Sequence, residues 1–140
     1  MQGTIDRERG ATGAGAGAGP RSRLAGPGVL LRVEGGVLLA TSASFYWVNG
    51  GSWVLFALLI LAPDVSMLGY LLGSKAGAAT YNLAHTYALP ASLAVFGVLA
   101  GSPLAVSVAR VWFAHIWMDR LLGYGLKYTS GFKDTHLARV

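Results

Sequence analysis

Cysteine is absent from the sequence, which excludes disulfides, thiolate catalysis and cysteine-ligated metals, and leaves the redox compartment unreadable. Charge is scarce as well. Asp, Glu, Lys and Arg make up 12% of the 140 residues, about half the share usual in a soluble domain. No charged side chain lies between Glu34 and Asp64, or between Lys75 and Arg110. A water-soluble helix needs a polar face, and these stretches have none to offer. Burial in lipid removes the difficulty, because about 20 apolar residues cross a hydrocarbon core of about 30 Å. The net charge of +5 is spread over the chain ends and one short loop instead of forming a patch, so no nucleic-acid partner is expected.

What is present is apolar: 54% of the residues are hydrophobic. They fall into four stretches, at about 29–48, 53–72, 76–100 and 103–122. Asn49-Gly50-Gly51-Ser52, Gly73-Ser74-Lys75 and Gly101-Ser102-Pro103 punctuate them. Phe45, Tyr46, Trp47 and Trp53 form an interfacial aromatic cluster at the first turn. Pro90 is expected to kink the third stretch. The fold class is therefore all-α, a four-helix transmembrane bundle over residues 28–140. Residues 1–27, Ala/Gly-rich and flanked by arginines, have no side chains able to pack and are expected to form a disordered basic tail.

Lys and Arg sit before the first stretch and at its start, in the second connection (Lys75), and after the fourth (Arg120, Lys127, Lys133, Arg139). The first and third connections have none. Four crossings place every basic segment on one side, and the positive-inside rule makes that side cytoplasmic. The chain is thus expected in the cell membrane with both termini in the cytoplasm. Rows of small residues, Gly36/Ala40/Ser44 and Gly69/Gly73, are candidate helix contacts.

With that orientation Glu34, Asp64, Asn82, His85, His115 and Asp119 all fall in the cytoplasmic half. An ionisable side chain in hydrocarbon costs about 2.5–3.5 kcal/mol on insertion scales, so these groups should face inward and satisfy one another. His115 and Asp119 are four residues apart and share a helix face, as do Tyr81 and His85. Asp64 follows Pro63, whose missing N–H frees a carbonyl in the preceding turn. Two His and two Asp from three helices suit Zn²⁺, Mn²⁺ or Fe²⁺, and such an ion activates water for hydrolysis of a lipid or phosphoester. The expected ligands are Asp64, His85, His115 and Asp119, with Glu34 as general base and His136 as proton donor. Lys127, Lys133 and His136 would hold a phosphate headgroup among anionic lipids, or the tail would be an interfacial anchor. The alternatives are a non-enzymatic transporter subunit, channel subunit or partner protein, with the cluster as structural glue or a proton path. A bis-His haem site is a further alternative, disfavoured by the neighbouring carboxylates. A translocator would require a homo-oligomer, since one such bundle leaves little room for a pathway. Arg110, in the outer half of the fourth stretch, should snorkel outward or pair with Asp64.

Leu31-Arg32-Val33-Glu34-Gly35, the segment from Ala62-Pro63-Asp64 to Tyr70, Tyr81-Asn82-Leu83-Ala84-His85-Thr86-Tyr87, and the stretch from His115 to Leu137 resemble a family of small bacterial membrane proteins, the domain of unknown function numbered 4260. The resemblance covers residues 29–137 and implies a multi-pass membrane protein without implying an activity. Pro63-Asp64 and His115-x-x-x-Asp119 also look similar to YdjM-like membrane-bound metal-dependent hydrolases, which implies a metal-dependent hydrolase. The His-Arg-x-x-x-His element of that group is missing here, and only His85 stands in its place.

Overall fold

The computed structural model describes residues 26–139; the tail expected over 1–27 lies outside them, save Gly26 and Pro27. Helix α1, Pro27–Val48, starts two residues earlier than its apolar run, because Pro27 supplies a fixed φ and needs no N–H in a first turn. The turn after it is tied by aromatics. Tyr46 donates from its hydroxyl to the Ser52 carbonyl at 3.0 Å, and the Trp47 and Trp53 rings stack at 5.4 Å.

The second span corrects the expectation of one continuous α-helix. Ser52 caps α2, Trp53–Leu59, by accepting from the Leu55 N–H. After a short turn the chain continues as a 3-10 helix, Ala62–Leu72. Eleven residues is a long run for this conformation, and it begins at Pro63, which cannot supply the N–H that would continue α2.

The third span is also broken. It divides into α3, Ser74–Ala84, and α4, Ala88–Leu99. The break falls at residues 85–87, one turn before Pro90, where its ring crowds the carbonyl four residues back. Helix α5, Pro103–Leu122, is capped by Ser102 and stopped by Gly123 at φ 89°, a left-handed conformation that suits glycine.

Helix α5 is the axis of the bundle. It buries Ala109, Val111, Ala114, His115, Ile116 and Asp119, and packs α1 along one side and α4 along another. The face that α1 presents to it is Gly35, Ser42 and Tyr46, not the Gly36/Ala40/Ser44 row; Ala40 and Ser44 are exposed. Ser42 donates to the Arg110 carbonyl at 3.1 Å. The 3-10 helix packs on α3: Gly69 abuts Thr80, and Gly77 abuts the Tyr70 ring. Arg110 is not paired with Asp64 but lies 5.0 Å from the ring centre of Phe45.

The outside of the bundle is apolar, with Leu71, Leu72 and Leu99 each more than four-fifths exposed (83%, 85% and 82%). Water would not support so large an apolar surface on a monomer. Three segments, Pro27–Val48, Trp53–Leu72 and Ser74–Leu99, are long and apolar enough to cross a membrane. Helix α5 has the length, about 30 Å at 1.5 Å per residue, but carries Arg110, Asp119 and Arg120 and is shielded by its neighbours.

Candidate metal centre

Two breaks in regular helix and one i, i+4 pair converge on a single point. His85 caps the C-terminus of α3 and its Nδ1 bonds the Tyr81 carbonyl at 2.8 Å. His115, in the middle of α5, bonds the Ile60 carbonyl through its Nδ1 at 2.5 Å. That carbonyl is free for a local reason. Its α-type donor, Asp64 N–H, has shifted to the Leu61 carbonyl, and its 3-10-type donor would be Pro63, which has no N–H. The Pro63 break therefore positions Asp64 and orients His115 together.

A carbonyl oxygen only accepts hydrogen bonds, so both Nδ1 atoms carry a proton and the two Nε2 atoms are left to one another and to the carboxylates. These two nitrogens face one another at 3.0 Å. Asp64 Oδ1 lies 3.4 Å from the first and 3.6 Å from the second. Asp119 Oδ2 lies 3.5 and 3.9 Å from them. Both imidazoles are buried, as is Asp119 (6% exposed), while the Asp64 side chain keeps 39% exposure. Asp64, His85 and His115 each place a ligand atom within 4.8 Å of the others. The backbone carbonyls behind the histidines are the orienting partners that metal-binding imidazoles usually have.

The Tyr81 hydroxyl donates to Asp119 Oδ2 at 2.8 Å, and its ring stacks on His85 with centroids 3.7 Å apart. The Tyr81–His85 spacing was visible in the sequence, but the bond to Asp119 was not, since it joins residues 38 apart.

Above the cluster opens a cleft of about 500 Å³ with Asp64, Tyr81 and Asp119 at its floor and Lys127, Phe132 and Lys133 on its walls. The walls belong to the tail, which folds back as an irregular hairpin. The Asn82 amide grips both backbone groups of Lys127, donating to its carbonyl at 2.8 Å and accepting from its N–H at 2.7 Å. The Lys127 ammonium rests 3.4 Å from the Phe132 ring centre and 4.2 Å from that of Tyr81. Burial pushes this lysine below its usual pKa, against the opposing pull of Asp119 and Asp64.

Two expected participants lie elsewhere. Glu34 is exposed on α1 and lines a separate cleft with His136, Arg120 and the other side of His85. His136 pins the hairpin: its Nδ1 accepts from the Leu126 N–H at 2.8 Å. The structure thus gathers Asp64, His85, His115 and Asp119, brings Lys127 and Lys133 over them, and leaves Glu34 and His136 outside that cleft.

The family model described as Domain of unknown function (DUF4260) matches residues 28–140. No curated protein and no solved structure matches the chain. The likeness to metal-dependent membrane hydrolases rests on Pro63-Asp64 and His115-x-x-x-Asp119 alone.

Proposed function

We propose that this chain, which belongs to the DUF4260 family, holds one divalent metal ion in its membrane bundle and hydrolyses an ester delivered at the cytoplasmic leaflet. The observation that carries the reading is the pair of Nε2 atoms 3.0 Å apart with both Nδ1 atoms already bonded to backbone carbonyls. Two lone pairs at that distance repel unless positive charge lies between them. A proton bridges two acceptors, whereas two nitrogens and two carboxylate oxygens converge here. A divalent cation would satisfy Asp64, His85 and His115 together, with Asp119 beside the histidines as a fourth group, and the nitrogen/oxygen set suits Zn²⁺, Mn²⁺ or Fe²⁺.

Such an ion supplies a water of pKa near about 7 and polarises the ester oxygen. The chain's own part is to hold and screen. Tyr81 donates to Asp119 and fixes its rotamer, the two backbone carbonyls fix the rings, and the tail narrows the opening to water. Asp64, the most accessible of the four, is placed to take the proton of the attacking water and pass it to the leaving oxygen. Both termini face the cytoplasm in this reading, as the distribution of Lys and Arg directs.

The same geometry supports a second reading, in which a shared proton occupies the gap and the cluster is a proton relay. Elemental analysis of the full chain purified in mild detergent separates the two. We expect about one equivalent of metal, as four-ligand sites hold, with loss in His115→Ala and Asp119→Ala. Wild type no richer in metal than these variants after supplementation leaves the proton reading. A Soret band in the same sample would point to haem instead.

A further inference from the structure

Lys127 is a buried cation without an anion. It is 7% exposed, its backbone is clamped at both ends by Asn82, and three rings surround its ammonium, Tyr70 completing the set at 5.5 Å. Among the described residues no carboxylate lies within ion-pair distance of it. Lys127 still borders the cleft, and Lys133 lines it as well. Burying a lysine is costly unless its head meets opposite charge; the rings offset part of that cost, and an anion entering the cleft would offset the rest.

The charge balance of the cleft says which charge. Asp64 and Asp119 contribute two negatives, and Lys127 and Lys133 two positives, so the walls and floor cancel. A divalent ion on the floor leaves an excess of two positive charges. A phosphate monoester carries about that many negatives near neutral pH, a diester one, and a carboxylic ester none. The volume of about 500 Å³ falls in the range that takes a small ligand or headgroup.

We infer that the cleft between the metal centre and the tail binds a phosphate monoester, with Lys127 and Lys133 as its cationic wall. This rests on the metal reading above. In the reaction the water oxygen bonds to phosphorus and the ester P–O bond breaks. The water's proton ends on the leaving alkoxide, so inorganic phosphate and an alcohol are released and no redox partner is needed.

The test uses the full chain in detergent loaded with Zn²⁺, with metal content measured separately from phosphate binding. Titrated with inorganic phosphate and followed by phosphorus NMR, the loaded protein should bind it, and the metal-free protein should bind at least about tenfold more weakly. Lys133→Gln, on the exposed wall, and Lys127→Gln should each weaken binding about tenfold or more, as expected for a lost charge-assisted hydrogen bond. Lys127→Arg keeps the charge and guards against a merely loosened tail. A protein that holds its metal but binds phosphate no better than both glutamine variants overturns this inference and leaves the metal centre standing. A protein that holds no metal overturns both. Release of phosphate from p-nitrophenyl phosphate as well as from phosphatidate micelles assigns any accessible monoester; release from the micelles alone assigns a lipid headgroup. Release from neither rejects the substrate.

Discussion

Gly35 and Gly36 are neighbours on α1 that a reading of composition treats alike. A Cβ on Gly35 would meet the Arg120 Cβ, the Leu121 nitrogen and the Trp117 carbonyl oxygen, each at 2.9 Å. Two of those are backbone atoms of α5 and cannot turn aside. A Cβ on Gly36 would meet only the flexible Leu121 side chain, at 3.2 Å. Helix association in lipid depends on close backbone approach, so Gly35 is the point where α1 and α5 touch. Gly35→Val should wedge them apart and cost about 1–3 kcal/mol, the usual range for overpacking. Gly36→Ala should cost little. Thermal unfolding of the two variants in one detergent checks this, and equal melting temperatures would refute the contact. The same distinction marks what single residues reveal without coordinates. The small-xxx-small pattern pointed to the Gly36/Ala40/Ser44 face of α1, whereas the contact lies on Gly35, Ser42 and Tyr46, because the face is set by where the partner helix lies. His115 and Asp119 were legible as a pair because four residues bring side chains together on any α-helix.

The elements show where sequence periodicity runs out. The second span is apolar nearly all round, and a segment without a polar face carries no signal of its period. Its 3-10 form was therefore invisible, yet it does the positioning. Three residues per turn stack Asp64, Met67 and Tyr70 in one row and Pro63, Ser66 and Gly69 in another. The first row carries Asp64 and Met67 into the cleft; the second lies on α3, where Thr80 donates to the Ser66 carbonyl at 2.8 Å. The tail was legible only as aromatic and basic, since its fold depends on long-range bonds from Asn82. Its far end is closed by Arg139, which donates to Asp134 from Nε at 2.8 Å, with Ser130 donating to the same carboxylate. These bonds hold the Asp134 carboxyl below its usual pKa, chiefly through Arg139. The sign follows: a depressed carboxylate pKa stabilises the closed tail above its unfolded value of about 3.9. That contribution is lost as pH falls through the lower folded value. Amide hydrogen exchange over residues 126–136 should therefore stay protected at mildly acidic pH and rise only below about pH 4. Asp134→Asn should exchange faster at neutral pH and lack that acid limb. An acid limb of the same size in both proteins would place the switch elsewhere.

At the scale of the molecule, the question is whether α5 crosses the membrane at all, since it is the least apolar of the long helices. Its packing against α1 bears on this. In the first half of α1, Gly35 lies against Arg120 and Leu121; in its second half, Ser42 reaches Arg110. Positions thus rise along α1 as they fall along α5, and the two helices run antiparallel. Arg32 lies beside Gly123, so the end of α5 returns to the side where α1 began. In the proposed membrane bundle, a chain whose last long helix ends where its first began crosses an even number of times. Packing does not say which side that is; the proposed cytoplasmic assignment rests on Lys75 and the basic tail, by the positive-inside rule. The missing cysteine makes a direct test simple, because any introduced thiol is unique. Asn49→Cys, Lys75→Cys, Ala100→Cys and Thr129→Cys all replace exposed residues in connections, at the start of α3 or in the tail. In intact cells a membrane-impermeant maleimide should label the first and third, and reach Lys75→Cys and Thr129→Cys only after permeabilisation. Labelling of Thr129→Cys but not Lys75→Cys in intact cells would mean that α5 stays on the outer side. The complementary pattern, with all four reversed, would keep the even count and move the metal centre and its lysine-walled cleft to the outer leaflet.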